Sequence, residues 1–531
     1  MAVYDLIIKN GLVCDGSGTV PFRADIGVIG GKIAFVGDIS DADAVRTVDA
    51  SGMIVSPGFI DAHSHNDGYL FHDPSAISKL SQGVTTEISG NCGEGLAPIN
   101  PEFFPEILAY YRPYYMTDDF IKYTTFGKFL DDIEALPLGI NVGFYAAHGT
   151  LRMSAMGCDQ RPPTAEELEK MKTYLREALD SGALGMSTGL VYAPGCYAET
   201  EEIIELAKIL KEYDAIYATH MRSESLDLME AIDEVIRIAK ETGVRVNISH
   251  LKALGKPRWG LAKEILEKIR TANSEGCRIS FDQYAYTVSC NVIAAILPIE
   301  YAEGGVDKLI SRLEDPAIRQ EIKEKMLSPV YDWDNPVITY GYEGIHILTT
   351  DETMPEVEGK TLQEAADEKG MEPLELLFDI IVKSKGYTLA AYDAMDENDV
   401  KLIMKEPIGS VCTDGIAVFP NEKTHPRLYG GFPRVLRKYV REEKVLTLEE
   451  AVRKMTSLTA ESVGLKGKGL IKEGYDADFV IFDPDTIADT ATLESPQERA
   501  DGIYEVIVGG KTALKNKSYT GSSSGRLIRR S

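Results

Sequence analysis

Cysteine is sparse in this chain: seven in 531 residues, at positions 14, 92, 158, 196, 277, 290 and 412. The number is odd, and no pair has zinc-ribbon or thioredoxin spacing, a pattern that speaks against a disulfide framework and for reduced thiols in a cytoplasm. Basic charge is also short, with 56 Lys and Arg against 83 Asp and Glu and a net charge of -27. So acidic a surface repels nucleic acid and anionic membrane, which excludes both as expected partners. No uninterrupted apolar run approaches the ~20 residues that span a bilayer. Met1 to Asn10 lacks a basic region followed by a long apolar core, so it reads as a strand and not as a signal peptide. What is present is apolar content of 44%, enough to build a full core.

The two ends of the chain share one character. Asp5 to Val13 is strand-like, and Ala24 to Val28 and Lys32 to Val36 flank Gly30-Gly31, the signature of a hairpin. Ala477 to Phe482 and Tyr504 to Gly509 are strand-like again, and Ser522 to Ser531, polar and basic, is expected to fray. Between them, short apolar runs alternate with helical patterns. The runs are Ile54 to Ala62, Thr85 to Ser89, Asn141 to Ala147, Leu184 to Leu190, Ile216 to Thr219, Arg245 to Ser249, Arg278 to Asp282 and Gly409 to Thr413. Continuous apolar strands are buried on both faces, as in a parallel sheet. Thr164 to Ser181 and Leu226 to Thr242 are amphipathic helices between them. Eight such units predict an α/β fold, a (βα)8 TIM-like barrel over 56–464. The ends, 1–55 and 465–531, would form a discontinuous small β-sandwich domain, joined through a helix over Leu446 to Val463. Two connections are long: Met116 to Pro137, and about a hundred residues between strands seven and eight. The latter predicts an inserted subdomain at 290–400.

The polar residues that could do chemistry fall at the ends of these strands. His63 and His65 follow the first, Cys92 the second, His220 the fifth, His250 the sixth, and Asp414 ends the eighth. That is the C-terminal rim where barrel enzymes place their sites. Only eight histidines are present, and four stand here. A lone His-X-His is usually a solvated loop; with His220 and His250 at matching ends, metal ligation becomes the stronger reading. Cys92 lies in Gly90-Asn91-Cys92-Gly93, where glycines permit a sharp turn, and a thiolate would balance the charge of a divalent cation. Its alternatives are a buried small hydrophobe or a nucleophile. Asp414 before Gly415 could cap a turn, but at this rim it reads as a general base for a water acidified by the metal.

These local sequences resemble the amidohydrolase superfamily. Pro57-Gly58-Phe59-Ile60-Asp61-Ala62-His63-Ser64-His65 and the late Gly474-Tyr475-Asp476-Ala477-Asp478-Phe479-Val480 are similar to its general motifs. Gly90-Asn91-Cys92-Gly93, His148-Gly149-Thr150-Leu151-Arg152, Thr219-His220-Met221-Arg222-Ser223-Glu224, Ser249-His250-Leu251-Lys252 and His425-Pro426-Arg427-Leu428-Tyr429-Gly430-Gly431 resemble its N-acyl-D-amino-acid deacylases (D-aminoacylases). The resemblance implies zinc, with Cys92 in place of a carboxylated lysine. Cys92, His220 and His250 would hold a tight ion, and His63 and His65, with Cys92, a weaker second one. Asp414 would be the proton shuttle, and the small-molecule substrate an N-acyl-D-amino acid, cleaved to a carboxylate and a free D-amino acid.

A substrate carboxylate needs cations at the rim. Arg222 and Lys252, each two residues past a histidine, are the candidates, with Tyr284 and Tyr192 as hydroxyl donors. The bland alternative for Arg222 is a surface pair with Glu224, and for the tyrosines core packing. His148 is as well suited to bracing a loop as to touching substrate. One departure stands out after strand seven: Asp282-Gln283-Tyr284-Ala285-Tyr286 replaces the subgroup's Asp-Ala-Tyr-Pro-Tyr, and Val292 to Leu297 has no arginine of the kind acid-specific relatives carry. The acyl and side-chain preference is left open. The rivals are a cyclic-amide hydrolase, which usually needs a bridging lysine that Leu184 to Leu190 lacks, and a non-catalytic scaffold, which would have lost ligands.

Overall fold

A computed structural model describes residues 4–40, 42–111, 122–329, 333–350, 352–420 and 422–530. All eight apolar runs contain strands: Phe59–Asp61, Val84–Ser89, Asn141–Phe144 continued by Ala146–Ala147, Gly185–Gly189, Ile216–His220, Arg245–Ile248, Arg278–Gln283 and Gly409–Val411. They are called the first to eighth strands below. Each pairs in parallel with the next in chain order, as in Asp61↔Glu87, Glu87↔Val142, Ala147↔Ser187, Thr188↔Thr219, Ala218↔Asn247, Asn247↔Ser280 and Gln283↔Val411. Beyond the eighth strand, Gly415–Ile416 pairs in parallel with Ser64–His65, and the Asp414 N–H donates to the His63 carbonyl at 2.9 Å. The chain of pairings therefore returns to its start.

That closing seam carries a buried ion pair. Lys79 Nζ donates to Asp61 Oδ2 at 2.8 Å and Thr413 Oγ1 at 2.7 Å, while Asp61 Oδ1 accepts the Thr413 N–H at 2.9 Å. Charge-assisted bonds replace ladder bonds where the first and eighth strands meet. Helices cover the strands with apolar stripes. Ala165–Ser181 buries Met171, Leu175, Ala178 and Leu179; it opens on a Thr164–Glu167 capping box and ends at Gly182 in left-handed backbone. Leu228–Thr242 buries Ile232, Val235, Ile238 and Ala239 in the same way. The expected helix over 446–463 is two, Leu448–Met455 and Ser457–Val463, broken at Thr456.

The terminal strands pair across the two ends. Asp5 to Val13 is not one strand: Asn10 turns the backbone (φ 64°), so Tyr4–Lys9 and Leu12–Val13 enter different sheets. The first joins a four-stranded sheet with Asp25–Ile29, Lys32–Gly37 and Ala44–Asp49. The second joins a seven-stranded sheet that also holds Ile54–Pro57, Phe479–Phe482 and Ile503–Val508. The run Ile54 to Ala62 is likewise split at Gly58, where a Cβ would stand 2.1 Å from Thr85 Oγ1. Its first half pairs with the C-terminal strand (Val55↔Ile481) and its second with the ring. Leu6, Ile8, Val28, Val55, Phe479 and Ile481 share one core.

The tail does not fray as its composition suggested. Val142 bridges Leu527, the Ile528 N–H donates to the Val142 carbonyl at 2.7 Å, and Arg529 pairs with Glu134 at 2.8 Å. The basic charge that suggested solvation is engaged residue by residue: Arg529 by the acidic helix Phe126–Glu134, Arg526 by Asp476 at 2.6 Å, and Arg530 by the carbonyls of Tyr213 and Leu179. That helix lies in the long connection after the second strand, of which residues 112–121 lie outside the described residues. Between strands seven and eight, Val288–Val292, Leu389–Asp393 and Ile345–Thr349 form an antiparallel sheet. Leu309, Leu313, Leu377, Phe378 and Ile381 build a separate core beside it. Among the described residues, no helix is long and apolar enough to cross a membrane.

Candidate active site

Six side chains from five strand ends converge. Cys92 Sγ is 3.3 Å from His63 Nε2, 3.7 Å from His220 Nδ1 and 3.5 Å from His250 Nε2. Asp414 Oδ1 lies 3.4 Å from His63 Nε2 and 3.3 Å from His65 Nε2. Three of the six occupy left-handed backbone: Cys92 (φ 53°), His250 (φ 37°) and Asp414 (φ 50°). Such positions cost ~1–3 kcal/mol each and persist only where the surroundings over-determine them. For Cys92 those surroundings include Gly90 and Gly93. A Cβ on Gly90 would stand 2.4 Å from the Tyr145 carbonyl oxygen, and one on Gly93 would stand 2.7 Å from the Gly189 nitrogen.

The electrostatics ask for a cation. Burial holds His220 and His250 well below the ordinary imidazole value, so both are neutral and have a lone pair to give. Burial pushes the Cys92 thiol well up, and Asp414, Glu94 and Glu224 push the same way. Burial would raise Asp414 too, but Arg427, then His250 and His63, hold it well below the carboxylate range. Its second oxygen takes an ion pair from Arg427 Nη1 at 2.8 Å. His63 Nδ1 is buried and lies 3.5 Å from Asp282 Oδ1. Asp282 in turn accepts the His250 N–H at 2.7 Å and so sets that turn. The donor atoms of His63, Cys92 and His250 lie within 4.8 Å of one another, as do those of His63, His65 and Asp414, and of His220, Glu224 and His250. The neutral imidazoles of His220 and His250, the rings of His63 and His65, a thiol in need of a counter-charge and a carboxylate form a set that fits a divalent metal.

Above these donors is a cavity of about 140 Å³. His65, Cys92, His220, His250 and Asp414 line its floor, and Val191, Val292, Ile296, Leu389, Tyr392 and Val418 give it apolar walls.

The model of the amidohydrolase family matches residues 46–513. A D-aminoacylase of Alcaligenes xylosoxydans xylosoxydans is 38% identical over 530 residues, 99% of this chain and 98% of that protein. The chain belongs to the amidohydrolase family. Among solved structures, a D-aminoacylase studied for its binuclear metal centre superposes with a TM-score of 0.83 at 35% identity, covering 99% and 100% of the two chains. An N-acyl-D-glutamate deacylase of Bordetella bronchiseptica, complexed with zinc and a phosphonate inhibitor, superposes at 0.85 with 32% identity and the same coverage.

Within this amidohydrolase, the expected ligands His63, His65, Cys92, His220 and His250 stand together with Asp414. Lys252, Tyr284 and Tyr192 line the cavity. Tyr192 packs edge-on to His220 with ring centroids 4.8 Å apart, and its hydroxyl accepts from Asn291 Nδ2 at 2.8 Å. The Tyr284 hydroxyl is buried and makes no hydrogen bond among the described residues. Arg222 is not brought to the site. Its guanidinium donates to Glu234 at 2.9 and 3.1 Å and to the carbonyls of Cys196 and Ala198, and its bland partner is Glu234, not Glu224. His148 braces, through Glu202 Oε1 at 2.8 Å. Two residues were missed, Glu224 and Arg427. Both stand inside motifs quoted for the resemblance, four residues past His220 and two past His425, and that was the available signal.

Proposed function

We propose that this amidohydrolase cleaves the amide bond of N-acyl-D-amino acids, giving a carboxylate and a free D-amino acid. The observation that carries the proposal is the convergence of four imidazoles, one thiol and one ionised carboxylate beneath a walled cavity, in a chain similar end to end to enzymes named for that reaction. Cys92, His220 and His250 would hold a tight zinc ion, and His63 and His65, with Cys92, a weaker one. A divalent cation held there would polarise an amide carbonyl and make water more acidic. The protein's own residues do the rest. Asp414, ionised and fixed by Arg427, accepts a proton from the attacking water at Oδ1 and returns it to the leaving nitrogen. Lys252, its Nζ 5.6 Å from the Tyr284 ring centroid, takes the substrate α-carboxylate, with the Tyr284 and Tyr192 hydroxyls beside it. The apolar walls exclude water and suit uncharged side chains.

The architecture that supports this is a (βα)8 barrel over 56–464, with a discontinuous β domain of 1–55 and 465–531 and a subdomain at 290–400 that contributes Asn291, Asp334 and Tyr392 to the cavity. A thiol ligand suits a reducing, cytoplasmic location. The test is metal analysis together with a panel of N-acetyl-D- and L-methionine, leucine and glutamate, and a hydantoin. We expect bound zinc and hydrolysis of the D-methionine and D-leucine derivatives ahead of the rest. Preference for L substrates or for the cyclic amide would overturn the assignment.

A further inference from the structure

Glu224 touches both imidazoles of the Cys92–His220–His250 set on the side away from Cys92. Its Oε2 is 3.5 Å from His220 Nε2, and its Oε1 is 3.0 Å from His250 Nδ1. The opposite nitrogens, His220 Nδ1 and His250 Nε2, are those that face Cys92 Sγ. One carboxylate thus stands behind two rings taken from two different strands. A neutral imidazole has one N–H and one lone pair, and the bond made by one nitrogen decides which nitrogen is the other. We infer that Glu224 is a positioning residue, accepting the outer N–H of both His220 and His250 so that both lone pairs turn toward Cys92. The inference rests on the reading of those three residues as the tight metal set.

Two further contacts shape the role. Lys252 Nζ is 2.6 Å from Glu224 Oε1 and 2.7 Å from His250 Nδ1. An ammonium donating to Nδ1 would place the ring proton on Nε2, facing Cys92, and spoil the donor. With Nδ1 protonated, Lys252 and His250 both donate to Oε1, and the inner lone pair is preserved. The backbone around Glu224 is held from the segment between strands seven and eight. Asp334 accepts the Glu224 N–H at 3.1 Å, the Leu226 N–H at 2.8 Å and the Ser223 hydroxyl at 2.8 Å. Glu224 is itself 4% exposed, so its oxygens have little water to turn to.

The experiment measures affinity for Zn²⁺ and for Co²⁺ in competition with a chelator, on the full chain, so it stands whether or not the substrate assignment does. Glu224→Gln keeps the shape but cannot accept from both rings, and metal affinity should fall about 10–100-fold, the range for loss of such an outer partner. Glu224→Asp, too short to reach both rings, should fall less. The Cys92 thiolate-to-cobalt charge-transfer band should survive in both at saturating metal. Lys252→Met should bind metal as the native chain does. Circular dichroism of the metal-free proteins checks folding, and Glu224→Asp carries the test if the glutamine variant does not fold. Unchanged affinity in the folded Glu224 variants would overturn the inference. So would loss of the charge-transfer band at saturating metal, which would make Glu224 necessary for Cys92 to ligate at all, or an equal loss in Lys252→Met, which would assign the effect to the ion pair.

Discussion

The two halves of the donor cluster use the same parts in opposite order. On the side of strands one and eight, Asp414 stands against the inner nitrogens of His63 and His65 at 3.4 and 3.3 Å, and Arg427 pairs with its other oxygen. On the side of strands five and six, the imidazoles face Cys92 and the acid, Glu224, lies on their outer nitrogens with Lys252. An acid among the donors exchanges protons with whatever occupies the cavity, whereas an acid behind them only orients. On the proposed reading, the first half would serve proton transfer and the second would serve holding. Cys92 belongs to both.

Removing the shared residue should have the largest effect. Cys92→Ala is expected to lose both zinc and turnover, read by metal content and rate. A variant with full zinc and normal turnover would break the comparison at its centre. Asp414→Asn should retain metal while the rate falls by roughly 10²–10⁴-fold, the range for a lost general base. A near-normal rate in the loaded protein would reduce this residue to a turn. Arg427→Met should follow at about 10–100-fold in kcat with metal content unchanged, since it acts through Asp414. An equal loss of metal would show that the two halves are not separable. The smallest effect on catalysis is expected from Arg222→Met. Its kcat/KM for acetyl-D-methionine should stay near native, while urea unfolding shows a loss of about 1 kcal/mol from removing the part-exposed pair with Glu234, which keeps its bond from Thr200 Oγ1. A raised KM with unchanged stability would return Arg222 to the cavity.

The donors were legible in the sequence because each closes an apolar run, and the end of a buried parallel strand is a place that local pattern marks. His63, Cys92, His220, His250 and Asp414 each follow such a run, and each reaches the common rim. The charged residues around them were not legible to the same degree. Arg222 and Lys252 have identical spacing from their histidines, yet Lys252 meets Glu224 at the cavity and Arg222 meets Glu234 on the helix Leu228–Thr242. Boundaries failed for a similar reason: Asn10 and Gly58 divide continuous apolar runs between different sheets, whose partner strands, from Arg46 beside Leu6 to Ile481 beside Val55, lie on other segments. The tail from 522 reads as fraying from its polar, basic composition, and Val142 and Glu134, far from it in sequence, hold it. The sequence by itself determined the order of the strands and which donors end them, because burial on both faces is written into each segment separately. Which charges pair, which acid faces inward and which loop the segment at Asp334 holds were decided only in the tertiary structure. Those depend on distances between segments, and composition and spacing along one segment carry no information about them.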